Sequence, residues 1–226
     1  MRIPLLERAR KEPLLQVAID VIDVYRALEL SLKIASAGAH IIEAGTPLIK
    51  SVGMHVVKLI RSIVPPSVYV VADTKIADAA RYEVEIAASM GADAVTVLGV
   101  SEDDVIREAS EVCKRLGVAL IVDLIHVKNP VTRASNLAEL GIEAVLVHVG
   151  VDVQRRRGIS VKELLSEIRE IASMGLLVAV AGGIKPEEVD TFIDAGARIV
   201  IIGSAIVKST DPINATRVAL TKMRGH

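Results

Sequence analysis

The 226-residue chain has no tryptophan, one phenylalanine (Phe192) and three tyrosines. Proteins that hold single-stranded nucleic acid stack its bases on exposed aromatic side chains, so this composition argues against that class. A net charge of −1 and a pI near 6.5 give no broad attraction for polyanions. A single cysteine, Cys113, excludes an internal disulfide framework and a cysteine-based zinc site. It lies in a helical pattern beside Glu111 and Lys114 and reads as a small buried residue. No apolar run approaches the roughly 18 residues that span a bilayer. The first eleven residues are charged throughout and lack the apolar core of a secretory leader. The expectation is a soluble cytoplasmic protein with neither a membrane nor a nucleic-acid partner.

What the chain has in quantity is Ala, Val, Ile and Leu, within a hydrophobic content of 51%. Such residues suit parallel strands buried on both faces. Eight β-branched runs stand out: 14–20, 40–44, 68–73, 94–98, 118–123, 144–149, 177–181 and 199–202. They recur about one βα unit apart, and the segments between them carry helical periodicity, as in Ala27, Leu30, Ile34 and Ala35. Gly38, Gly91, Gly117, Gly141, Gly175 and Gly196 each fall between a helical stretch and the next strand. Helices often end there in a left-handed residue, which glycine adopts at least cost. Pro65-Pro66 punctuates the approach to the third strand in another way. Eight units without a linker predict a single-domain α/β protein, a (β/α)8 TIM barrel over residues 1–226; an open doubly wound sheet is the alternative.

In such barrels the chemistry sits at the C-terminal strand ends. Those ends carry Asp20, Glu43, Asp73 with Lys75 and Asp78, Asp123, and His148. Glu43 stands between Ile42 and Ala44 inside a strand, where an unpaired charge is costly and demands a cation or hydrogen-bonded partner. Asp73 lies on the neighbouring strand. The two carboxylates could share a hard cation such as Mg2+, which takes one or two carboxylates and completes its shell with water and substrate oxygens; an ion-pair network with Lys75 is the bland alternative. Gly182-Gly183 and Gly203-Ser204 follow strands seven and eight, the usual phosphate seat of this fold. There, open backbone N–H groups face an oxyanion. His148 is a candidate acid or base near neutral pH, against the commoner role of a satisfied core histidine. His126, after strand five, is a weaker candidate for the pocket wall.

The spacing Asp73-x-Lys75-x-x-Asp78 resembles the signature of the orotidine-5′-phosphate decarboxylase suprafamily, and the likeness extends along nearly the whole chain. The run Ile41-Ile42-Glu43-Ala44-Gly45-Thr46-Pro47 is similar to the metal-binding branch rather than to members with a lysine on strand two. Gln16-Val17-Ala18-Ile19-Asp20, Asp123-Leu124-Ile125 and His148-Val149-Gly150-Val151-Asp152-Val153-Gln154 resemble the formaldehyde-fixing aldolases of that branch. The 3-keto-L-gulonate-6-phosphate decarboxylases instead place a glutamate after strand five and an arginine three residues past the histidine. Ser204 departs from the Gly-Arg that many members carry after strand eight, and His126 replaces what is often glycine.

The resemblance implies a magnesium-dependent aldolase, with Mn2+ as the substitute ion, that joins formaldehyde to D-ribulose 5-phosphate or runs that reaction backwards. In this reading Glu43 and Asp73 hold the metal, His148 removes the C1 proton and Lys75 stabilises the oxyanion or hands over a proton. Asp20 and Asp123 bind the sugar, while Gly182, Gly183, Gly203 and Ser204 bind its phosphate. Asp78 reaches the partner's site across a homodimer; the local reading is a cap for the helix that begins near Ala79, and the two roles are compatible. The competing functions are the decarboxylase and a non-catalytic sugar-phosphate-binding barrel.

Overall fold

The computed structural model describes residues 4–223. Its strands are β1 (Leu14–Ile19), β2 (Ile41–Ala44), β3 (Tyr69–Ile76), β4 (Ala94–Leu98), β5 (Ala119–Asp123), β6 (Ala144–His148), β7 (Leu177–Ala181) and β8 (Ala197–Ile202). All eight are parallel and each pairs with its sequence neighbour, with β8 returning to β1 in a closed barrel. Closure leaves no edge strand and rules out the open sheet. Every β-branched run became a strand, most with ends within a residue or two. The third was drawn too short, because β3 runs on past Asp73 and takes Thr74, Lys75 and Ile76 into the strand.

Strand alternation builds two separate apolar layers. Inward positions such as Leu14, Ile41, Tyr69, Val71, Ala94, Ile121, Leu146, Ala179 and Ile199 fill the barrel. Outward positions such as Val17, Ile42, Val70, Val95, Val122, Val147, Val180 and Val200 pack against the helices. Mostly aliphatic side chains suffice for both layers, which explains why so few aromatics are needed.

The six glycines placed between helices and strands all have positive φ, from 69° at Gly117 to 110° at Gly38. They end helices as expected and allow the chain to turn straight into the next strand. Cys113 is buried in helix Asp103–Leu116, and burial pushes its thiol up to about 12.

The charged N-terminal run holds an element that sequence periodicity did not reveal, a helix over Leu5–Lys11. Leu5 and Ala9, one turn apart, are its buried residues, and they join the interior layer to close the N-terminal end of the barrel. Arg198 Nε–H donates to the Ala9 carbonyl at 2.9 Å and ties this helix to β8. A stripe of two residues is too narrow to register as amphipathic periodicity.

His40 stands at the same end of the barrel, where its Nδ1 accepts a hydrogen bond from the Leu15 N–H at 2.9 Å. Burial, helped by the nearby charge of Arg8, lowers its pKa from 6.5 to about 4. A depressed native pKa means that the unfolded chain binds more protons between these two values, so stability present above pH 6.5 is lost as pH falls toward 4. The expected contribution is about 2–3 kcal/mol. It should appear in urea unfolding as a decline over this interval that is shallower in His40→Gln.

Candidate active site

Inward parity continues to the C-terminal ends of the strands, where polar side chains from β1 to β6 enter the apolar filling while β7 and β8 end inward on Ala181 and Ile201. Gln16, Glu43, Asp73, Thr96 and Asp123 are all buried, and His148 is partly so. Each lies two or four residues beyond an inward apolar position on its own strand, as with Tyr69, Val71 and Asp73 on β3. The site is therefore the top layer of the barrel core.

Asp123 is its centre, with 0% exposure. Its carboxylate accepts from Lys75 Nζ at 2.7 Å and from the Ile125 N–H at 3.0 Å, and lies 3.1 Å from His148 Nδ1. Burial acts to raise its pKa, but the His148 hydrogen bond and charge, together with Lys75, outweigh it and leave Asp123 below the ordinary carboxylate range. The tautomer that donates Nδ1–H to Asp123 leaves Nε2 as the basic nitrogen of His148.

Lys75 Nζ also stands 3.1 Å from the Asp73 carboxylate. Desolvation opposes its charge, but Asp73 and Asp123 together hold its pKa above the usual lysine value. It is therefore a fixed ammonium rather than a base. Its backbone has φ 49°, an uncommon value for a side chain with a Cβ. The ladder between β3 and β4 shifts register between Ala72 and Ile76, and this bulge places Lys75 where it reaches β5. Thr96 secures the bulge: its Oγ1–H donates to Asp73 Oδ1 at 2.7 Å while the same oxygen accepts the Lys75 N–H at 2.9 Å. Thr46 Oγ1 lies 2.7 Å from Asp73 Oδ2. The reading of the sequence missed both threonines. Thr96 carried a signal, being the one polar residue in Ala94-Val95-Thr96-Val97-Leu98 and inward by parity. Thr46 carried none.

Glu43 is buried, and its pKa is raised well above 4.5 by burial first, then by the charges of Asp73 and Asp20. Gln16 Nε2–H donates to Glu43 Oε2 at 2.6 Å. Among the described residues, no group of three or more His, Cys, Asp or Glu side chains is arranged to hold a metal. The donor set is two carboxylates, Glu43 and Asp73, whose mutual repulsion a cation would relieve. That composition fits a hard ion such as Mg2+, which keeps several waters, and does not fit the N/S cage of zinc.

Asp20 lies at the solvent-facing mouth, ringed by protein atoms. That crowding, and then Asp73, hold its carboxyl above the usual range. It sits between the ends of β2 and β8, so close to Gly45 that a Cβ there would collide with its carboxylate. A Cβ on Gly203 would come within 3.4 Å of Asp20 Oδ2. Gly182 and Gly183 have φ 119° and 77°. A Cβ on Gly182 would strike the Val149 carbonyl at 2.5 Å, so glycine is required there on two counts. The chain beyond helix Val151–Arg157 folds over this pair, with Val161 N–H donating to the Gly182 carbonyl at 2.9 Å. Gly203-Ser204 opens the adjacent strand end, and Lys208 adds positive charge within reach of Asp20.

Two candidates stand apart. Asp78 is exposed beyond the end of β3, and helix Ala80–Ser89 begins after Ala79 without a side-chain cap. The capping role is therefore not found. His126 is exposed with φ 64°, which accounts for glycine being common at this place but gives it no bond to the site.

A closed (β/α)8 barrel with acids, a lysine and a histidine gathered at its C-terminal mouth has the form of an enzyme active site. The model of the orotidine 5′-phosphate decarboxylase / HUMPS family matches residues 13–219, and the chain belongs to this family. It is 37% identical over 213 residues to the 3-hexulose-6-phosphate synthase of Staphylococcus epidermidis, covering 93% of this chain and 99% of that protein. A crystal structure of 3-hexulose-6-phosphate synthase superposes with a TM-score of 0.87 at 36% identity, covering 93% and 99% of the two chains. The 3-keto-L-gulonate-6-phosphate decarboxylase of Vibrio cholerae shares the fold, with a TM-score of 0.83 at 23% identity and coverage of 95% and 98%.

Thr96→Val keeps the shape of the side chain but strips a hydrogen bond from Asp73 and from the Lys75 N–H. It should cost about 1–3 kcal/mol in urea unfolding, with Thr96→Ser recovering most of the loss.

Proposed function

We propose that the protein catalyses the 3-hexulose-6-phosphate synthase reaction, the metal-dependent aldol addition of formaldehyde to D-ribulose 5-phosphate, together with its reverse. The observation that carries the proposal is Asp123, a fully buried aspartate bonded at once to Lys75 and His148. It orients a base and a cation toward the same mouth. Similarity to the synthases over nearly the full length of the chain supports the choice of substrates.

Glu43 and Asp73 would hold Mg2+, or Mn2+ in its place, and the bound ion would supply positive charge to the substrate's reacting oxygens. His148 Nε2 takes the proton from C1 of the pentulose phosphate, with Asp123 steadying the imidazolium that results. Lys75, fixed between two carboxylates, faces the negative charge that grows on the substrate oxygen as that proton leaves. Preorganised positive charge of this kind favours the transition state over the ground state. C1 then bonds to the formaldehyde carbon, and the new alkoxide takes up a proton. Asp20 binds sugar hydroxyls at the mouth. Gly182, Gly183, Gly203 and Ser204 bind the phosphate through backbone N–H groups, and Lys208 supplies charge where Ser204 brings none. Phosphate binding places C1 against His148, so remote binding energy serves the reaction.

The sugar phosphate is one partner and a second copy of the chain is the other. Tyr82 and Ile86, one turn apart on the helix that Asp78 precedes, are 70% and 48% exposed. An apolar pair in this position, beside an acid that makes no contact with its own site, supports a homodimer in which Asp78 serves the partner's active site.

Purified protein supplied with ribulose 5-phosphate should consume formaldehyde, lose this activity in EDTA and regain it with Mg2+. His148→Asn should lower kcat by about 10²–10⁴-fold. Metal-independent activity, or carbon dioxide release from 3-keto-L-gulonate 6-phosphate without formaldehyde consumption, would overturn the proposal. Shared sites predict that co-refolding inactive Asp78→Ala and His148→Asn chains recovers about a quarter of wild-type activity through mixed dimers. If Asp78 acts within its own subunit, the mixture stays inactive.

A further inference from the structure

Gln16 stands on β1, facing the barrel interior, and is 2% exposed. Its surroundings are apolar: Leu14 and Ala18 face inward on its own strand, while Ile41 and Ile201 stand opposite it on β2 and β8. One amide N–H donates to Glu43 Oε2 at 2.6 Å. Gln16 Oε1 has no partner, alone in this respect among the buried side-chain N and O atoms of the described residues. An unpaired buried carbonyl normally costs about 1–3 kcal/mol, and apolar residues of similar volume would avoid that cost. The hydrogen bond to Glu43 explains the N–H but not the oxygen.

Glu43 completes the pattern. The hydrogen bond it receives falls on Oε2, so its other oxygen, Oε1, is left without a bond from the protein. Gln16 Oε1 is thus sealed and unpaired, and the neighbour to which its amide is bonded carries a carboxylate oxygen that receives no hydrogen bond from the protein. Donors alone would satisfy both, but no protein donor is placed to do so. A hydrated cation supplies what each lacks, the ion itself for the carboxylate and a water O–H for the amide carbonyl.

We infer that Gln16 is a positioning residue for the cation site. Its N–H fixes Glu43 by Oε2 so that Oε1 faces the ion, and its carbonyl accepts a hydrogen bond from a water in the ion's shell. This rests on the reading of Glu43 and Asp73 as the ligands. It adds that the orientation of Glu43, and not its charge alone, sets affinity for the metal.

The test measures Mn2+ binding by electron paramagnetic resonance on the full-length protein without substrate, alongside thermal unfolding of the metal-free protein. Gln16→Met removes both amide functions at similar volume, and should weaken Mn2+ binding by about 10–100-fold. The melting temperature of the metal-free protein should change little, because removing the unpaired carbonyl and removing the hydrogen bond to Glu43 act in opposite directions. Gln16→Asn draws the amide back by one methylene and should weaken binding in the same direction, serving if the methionine variant fails to fold. Wild-type affinity in the folded variants, with or without a lower melting temperature, would overturn the role of Gln16 alone. If the wild-type protein binds no Mn2+, or Glu43→Gln binds it as well as wild type, the cation reading falls and the role of Gln16 falls with it.

Discussion

A carboxylate with no exposure to water, Asp123, ends β5 inside the barrel, and the arrangement of the mouth follows from the need to keep it ionised. A buried charge is retained only when opposite charge and hydrogen bonds replace the lost water. Lys75, His148 and the Ile125 N–H provide these, from β3, β6 and the loop after β5. Lys75 reaches across β4 because β3 bulges, and the bulge is secured by Thr96 on β4. One buried acid thus ties the strands from β3 to β6 together, and two of the groups that stabilise it, His148 and Lys75, are those to which the proposed function gives the proton and the developing negative charge.

The opposite side of the mouth obeys a different rule. Burial first, and then the charge of Asp73, raise Glu43 well above its ordinary pKa, and Lys75 offsets part of the rise. Protein groups satisfy Asp123 fully and Glu43 incompletely. The unpaired Gln16 carbonyl beside Glu43 belongs to the same deficit. The two sides therefore differ in charge balance: around Asp123 it is closed by protein groups, and in the carboxylate pair on β2 and β3 it stays open, which is what the proposed function draws on.

Much of this was legible beforehand. Val, Ile and Leu runs marked the eight units, and each of the six helix-ending glycines adopted the left-handed backbone for which it was read. Asp73, Lys75, Asp123 and His148 stood out because charged or titratable groups at the ends of aliphatic runs have few structural excuses, and the structure brings all four into one bonded set. The helix at Leu5–Lys11 was hidden because two buried residues make too narrow a stripe. Thr46 was hidden because its partner is 27 positions away on another strand end, a distance that only folding removes.

Strand alternation and chain order by themselves determined the barrel, its inward faces and the end at which polar residues collect, because parity and parallel pairing are local rules. They also determined which residue types were available there. Only the tertiary structure decided which of those residues pair. A backbone bulge at Lys75 directs it to Asp123 rather than to Asp73 alone. Asp78 stands exposed beyond the end of β3, apart from the hydrogen-bonded set, and the unpaired oxygen of Gln16 appears only once the barrel has closed around it. Hydrogen-bond partnership depends on ångström distances between strands that are remote in sequence, and no pattern along one strand encodes them.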